Sequence, residues 1–286
     1  MANDQYIFWE KGLMMGAVFQ KILVPVDFRI NTEVAIKKSL EIIEQSDSVI
    51  HLLHVQKPVF QRNLHLSQHV AKRAKLHEWK SVIEEVAPGI RVNTDLVEAR
   101  NIEKAIIEQA NHCLPDIIVI GKNSSHSRFP FLNTVSPNRI AKETGFPVLT
   151  VKPGSIHNKV KSILVPVGSF VPEKKMDLIL ALRKKFRISI HLVTILGNGR
   201  NEDHFSGYAL LNTYRFLKNV AQCPLDHEVL RGENIARSTL KYAQEIKADM
   251  LLVDPEKEAT LTPLLGKHIS DELMPESRLQ ILTVQS

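Results

Sequence analysis

A repeat constrains this chain more than any other feature. Lys21-Ile22-Leu23-Val24-Pro25-Val26 returns as Ser162-Ile163-Leu164-Val165-Pro166-Val167, and Ile50-His51-Leu52-Leu53-His54-Val55 as Ile190-His191-Leu192-Val193-Thr194-Ile195. Ala99-Arg100-Asn101-Ile102 pairs with Gly232-Glu233-Asn234-Ile235, and Pro115-Asp116-Ile117-Ile118 with Ala248-Asp249-Met250-Leu251. Val148-Leu149-Thr150-Val151 comes back as Ile281-Leu282-Thr283-Val284. The offset is 141 at the first pair, 140 at the second and 133 at the last three. The second copy is therefore shorter by about seven residues between its second and third strands. Self-similarity on this scale reads as one unit present twice. At 286 residues the chain is long enough for each unit to bury its own core. We expect an extension over residues 1–18, a first domain over 19–153 and a second over 159–286, joined near Pro153-Gly154-Ser155.

Within a copy, apolar β-branched runs alternate with helical patterns. Thr32 to Gln45 places Val34, Ile36, Leu40 and Ile43 near helical spacing, with Lys37, Lys38, Glu41 and Glu44 between them. A helix is predicted from about Leu66 to Val86, stopped by Pro88-Gly89, then a strand near Val92 to Val97 and a helix from Ile102 to His112. The stretch from Asp116 to Val151 then reads as a complete βαβ unit. Ile117 to Ile120 stops at Gly121, a polar loop follows, a helix runs from about Thr134 to Thr144, and Gly145 leads into Pro147 to Val151. A glycine at a strand's end that leads to a helix N-terminus is where α/β folds receive phosphates. Five strands with intervening helices predict, for each copy, an open parallel sheet covered on both faces.

Composition narrows the function classes. Apolar residues at 44% and charged residues at 24% describe a globular chain. The net charge of +6 divides evenly, with 19 Lys+Arg against 16 Asp+Glu through His157 and 18 against 15 beyond it. The basic runs at Lys72-Arg73-Ala74-Lys75 and Arg183-Lys184-Lys185-Phe186-Arg187 lack interleaved aromatics for base stacking, so they read as solvated helix faces and not as a nucleic-acid surface. Cys113 and Cys223 provide neither a disulfide framework nor a metal half-site and suit a reducing cytosol. The apolar N-terminal stretches Tyr6 to Trp9 and Leu13 to Met15 are interrupted by charges and are too short to insert into a membrane. They read as an extension covering an apolar patch, or as a linker from a longer membrane protein. His65, His69 and His77 share a helical spacing, yet nothing nearby supports a metal, which is not expected. His51 and His191 occupy the same strand register and suggest packing. Gly197-Asn198-Gly199 reads as a turn.

KILVPVDF, IHLLHV, PDIIVIG and LNTVSPNRIAKETGFPVLTV together resemble a universal stress protein domain. The resemblance extends over nearly the whole chain from Phe19, twice, as in tandem members of that family. It implies two tandem open parallel five-stranded sheets of order 3-2-1-4-5, packed as a pseudo-dimer through their last strands. It also implies an ATP or AMP site in the first copy at most. In that copy Asp27, beside Val26, matches the family's adenine-edge aspartate, and Gly121, followed by Lys122, matches the first loop glycine. The other loop glycines fall on Ser124 and Asn133, with Thr134 as the hydroxyl and Val135 next to it. Only glycine takes up positive φ freely, so the substitutions imply a weakened phosphate cradle. In the second copy Gly168 replaces the aspartate and Asp254 the glycine, so no nucleotide is expected there. The resemblance implies a cytoplasmic binding or sensor module in stress physiology, with an unknown protein partner and homodimerisation open. Slow ATP hydrolysis and a soluble regulatory role for a membrane transporter are the alternatives.

Overall fold

The computed structural model describes residues 19–44, 46–58, 62–122, 135–197, 203–256, 259–262 and 267–285. Its first half runs β1 (Lys21–Pro25), α1 (Ile30–Ile42), β2 (Ser48–Gln56), α2 (Arg62–Val86), β3 (Ile90–Glu98), α3 (Ile102–Cys113), β4 (Ile117–Gly121), α4 (Pro137–Thr144) and β5 (Val148–Val151). A short 3-10 turn (Pro153–Ser155) leads to β6 (Ser162–Pro166), α5 (Glu173–Lys185), β7 (Ser189–Leu196), α6 (Asp203–Val220), β8 (Leu225–Arg231), α7 (Ile235–Glu245) and β9 (Met250–Val253). β10 (Thr260–Thr262), β11 (Lys267–His268), α8 (Ile269–Glu272) and β12 (Gln280–Thr283) complete the chain.

The strands form one ten-stranded sheet of order β3-β2-β1-β4-β5-β12-β9-β6-β7-β8. Each half keeps the expected 3-2-1-4-5 order, and the two expected five-stranded sheets are continuous across the join, as one sheet. β5 and β12 pair antiparallel, with Thr150 opposite Ile281, Leu149 opposite Leu282 and Val148 opposite Thr283. The reason is elementary: each is the edge strand of its own half, and its unpaired N–H and C=O groups find partners in the other.

The repeated residues do the same work twice. Asp116 Oδ2 accepts the backbone N–H groups of Gln20 and Lys21, and Asp249 Oδ2 accepts those of Lys161 and Ser162, tying the start of the first strand to the start of the fourth. Asn101 caps α3 by accepting the Lys104 N–H, and Asn234 caps α7 by accepting that of Arg237. Apolar residues fill both faces of the sheet. On one face a single core runs through both halves, from Ile22, Val34 and Leu76 to Val165, Ile179 and Leu217, under α1, α2, α5 and α6. On the other it divides, with Leu23, Ile106 and Ile140 in one cluster and Leu164, Leu240 and Ile269 in another.

Local differences from the sequence reading have local causes. α4 begins at Pro137 because the Ser136 hydroxyl accepts the Arg139 N–H and proline suits the first helical turn. In the second half the corresponding segment is the hairpin pair β10–β11 followed by the four-residue α8. The linker lies against the second half: the Gly154 N–H donates to the Pro275 carbonyl at 2.8 Å. A Cβ on Gly154 would stand 2.0 Å from the Glu276 oxygen, so only glycine fits. Among the described residues no helix is long and apolar enough to cross a membrane.

Candidate functional site

β1 and β4 are neighbours, with Ile22 opposite Ile117, and the chain leaves them in opposite directions, towards β2 and β5. A crevice opens at the carboxyl ends of strands where the order reverses in this way. Asp27 follows β1, and Gly121 ends β4.

Asp27 is half-buried and organises the entry to α1. Its Oδ1 accepts the Thr32 hydroxyl at 2.8 Å and the Arg29 N–H at 3.2 Å, while its own N–H donates to Thr32 Oγ1 at 2.9 Å. Arg29, at the N-cap, provides no side-chain cap, so Asp27 and Thr32 perform that task. Oδ2 is not engaged by any described residue. Between Asp27 and the helix, Phe28 takes a positive φ of 59°. Its ring lies 4.6 Å from that of His54 and 5.7 Å from the Lys75 ammonium.

Several residues expected at the ligand serve the framework. Val26 is buried; its N–H donates to the Leu53 carbonyl, and its own carbonyl is 2.8 Å from His54 Nδ1. Burial holds the His54 imidazole below its ordinary pKa, and so neutral near pH 7. At Gly121 a Cβ would lie 1.9 Å from the Asn31 carbonyl oxygen, so the missing side chain lets α1 approach the sheet. Lys122, expected at the site beside the loop glycine, is 3% exposed. Its ammonium donates to the Val135 carbonyl at 3.1 Å and to Asp271 Oδ1, in the second half, at 2.6 Å. Val135 is itself a core residue. Ser124, Asn133 and Thr134 lie outside the described residues, as do residues 1–18. Thr32, Asn31 and His54 were missed by sequence reasoning. Only His54 left a trace, because Thr194 at the repeated position donates to the Val167 carbonyl as His54 meets that of Val26.

The second crevice differs throughout. Gly168 stands in open space where Asp27 stands in the first. Asp254 follows β9 at the position of Gly121, its Oδ1 accepting the Glu256 N–H. Lys175, buried, donates to the Pro166 carbonyl at the carboxyl end of β6. Elsewhere, His51 does not simply pack: with Asn93, Asp95, Gln109, His112 and Cys113 it lines a polar cleft of about 540 Å³. Burial lowers the His51 pKa and raises that of Cys113. No group of His, Cys, Asp or Glu among the described residues is placed to hold a metal ion.

Residues 19–152 match the model of the universal stress protein family. Over that span the chain is similar to a universal stress protein domain. The whole chain shares its fold with a universal stress protein from Archaeoglobus fulgidus, at 15% identity over 94% of this chain and 98% of that one, with a TM-score of 0.67. It is similar at 13% identity to a functionally unknown protein from Pseudomonas aeruginosa, over 96% and 94% of the two chains, TM-score 0.51. The cytoplasmic domain of a prokaryotic cation chloride cotransporter aligns at 15% identity over 93% and 95%, TM-score 0.52. No curated protein matches the chain. The residues that match the family model thus supply the first crevice. The same strand order in mirror sequence supplies the second.

Proposed function

We propose that this protein is a cytoplasmic adenine-nucleotide-binding sensor module of the stress response, with its one site in the first crevice and a second half that serves as a built-in partner. The observation that carries this reading is the juxtaposition of Asp27 and Gly121 at the switch point, with Oδ1 of Asp27 accepting from Thr32 and Arg29 and Oδ2 taken by no described residue. A carboxylate oxygen there accepts from an adenine amino group. Because Lys122 is held by Asp271, the site has less positive charge for a phosphate chain, which favours AMP over ATP. A second reading, a regulatory module for a membrane transporter, draws on the likeness in fold to the cotransporter domain.

Calorimetry on the full chain with AMP, ADP and ATP tests the first reading. AMP should bind saturably, and Asp27→Asn should weaken it by about tenfold or more, the effect of losing one good hydrogen bond to a charged group. Asparagine keeps an oxygen for Thr32 and Arg29, so the helix cap survives and melting should change little. No heat with any of the three at millimolar concentration would reject the site.

A further inference from the structure

The contacts between the halves are unlike on their two sides. Around β5 and β12 the first half brings Lys122 and Lys152, which are 3% and 1% exposed, and the second brings Asp271. Burial and the neighbouring Lys122 charge oppose protonation of Lys152, while Asp271 favours it. The offset of 133 that relates the last strands relates the other positions too. Lys122 corresponds to Pro255, Lys152 to Gln285 and Asn138 to Asp271. The cations of one half therefore face a carboxylate that the first half lacks, and the second half lacks the cations. Farther out, Lys142 of the first half pairs with Glu256 of the second. On the other face Glu44, just past the end of α1, meets Lys185, at the end of α5, at 3.8 Å. Lys185 also donates to the Ile43 carbonyl.

Consider what like-with-like pairing would do. Two first halves joined through β5 would bury four ammonium groups and set asparagine where Asp271 stands, with Glu44 facing Glu44. Two second halves would set two half-buried carboxylates against proline and glutamine, with Lys185 facing Lys185. An uncompensated buried charge is strongly destabilising, whereas the mixed pairing sets Asp271 against the two ammonium groups and Lys185 against Glu44. Backbone pairing of β5 and β12 cannot make this choice, since two antiparallel four-residue strands of similar sequence accept either partner. We infer that the Lys122–Lys152–Asp271 cluster is the specificity determinant of the join, fitting the first half to a second half and excluding a second copy of itself.

The test uses the whole chain, folded and then cut. A protease site is inserted at His157, which is exposed in the linker, and the nicked protein is examined by native mass spectrometry. Wild type should remain wholly as one first fragment with one second fragment. The variant Lys122→Met, Lys152→Met, Asp271→Asn removes the three charges together. Apolar replacement of buried ion pairs is often neutral or stabilising, so this variant should fold and melt no lower than wild type. After nicking and incubation it should nonetheless yield first-fragment and second-fragment homodimers. Should the triple variant not fold, the single Asp271→Asn protein, nicked, should show a homodimer of second fragments. Homodimers from nicked wild type, or a folded variant as exclusively mixed as wild type, would overturn the inference.

Discussion

The two crevices of this molecule were built from one plan and have diverged in opposite ways. The first keeps an aspartate after its first strand and a glycine at the end of its fourth, with a helix pressed against that glycine at Asn31. In the second, the aspartate is gone, a carboxylate occupies the glycine position, and the Lys175 ammonium sits at the end of β6. Duplication leaves one copy bound by its original constraints and frees the other to become packing and electrostatics. The frame that the copies share, the Asp116 and Asp249 ties and the Asn101 and Asn234 caps, is unchanged, because it serves folding in both.

The sharpest way to break the comparison is at the strand-ending position. Gly121→Val should be the most damaging substitution, because its Cβ would meet backbone 1.9 Å away and nothing flexible can yield. We expect a loss of more than about 4 kcal/mol, the exceptional range for a single residue, read as failure to fold or a collapse in thermal midpoint. Asp254→Gly in the second half should stay within about 1 kcal/mol of wild type. If both variants melt alike, the two ends are packed alike and the contrast fails.

Lys122→Ala comes next. It removes one partner of a buried pair and leaves the Val135 carbonyl and Asp271 without their donor, which should cost about 3–5 kcal/mol by denaturant unfolding. The exposed pair of Lys142 with Glu256 is the control: Lys142→Ala should cost under about 1 kcal/mol. Equal effects would mean that Lys122 is solvated.

The smallest effect is a pH dependence at Lys152, whose pKa is lowered to about 8 by burial, with the Lys122 charge adding to it and Asp271 opposing. Below pH 8 the ammonium is present in both folded and unfolded chains, and the folded chain bears the full burial penalty. Between about 8 and 10.5 the unfolded chain holds a proton that the folded chain has released, so stability rises with pH. The rise should total at most about 3 kcal/mol and vanish in Lys152→Met, measured as the difference between the two proteins so that other titrating groups cancel. A flat difference between pH 8 and 10.5 would place Lys152 in water.

Much of the fold was legible because it rests on near-neighbour patterns. Runs such as Ile117 to Ile120, the stops at Gly145 and Pro88, and the doubled motifs report strands, helices and duplication without any knowledge of distant contacts. Asp27 and Gly121 were legible for the same reason, standing at strand ends that the pattern marks. The fate of Lys122 was not. Its partner Asp271 is 149 positions away and becomes a neighbour only once β5 and β12 have joined. Asn31 likewise gave no signal, since the Gly121 contact is with its backbone and any residue there would supply it. Thr32 was hidden by an ordinary role, being the first residue of an expected helix.

One consequence of the joined sheet concerns time more than shape. β5 and β12 are four residues each and the outermost strand of their own halves, where amides ordinarily exchange with solvent soonest. Here every residue of both strands is buried, with five strands of sheet lying to either side of the line between them. Deuterium should therefore enter β3 and β8 long before it reaches Leu149 and Leu282, and the last amides to exchange should report the breathing of the entire chain and not of either half.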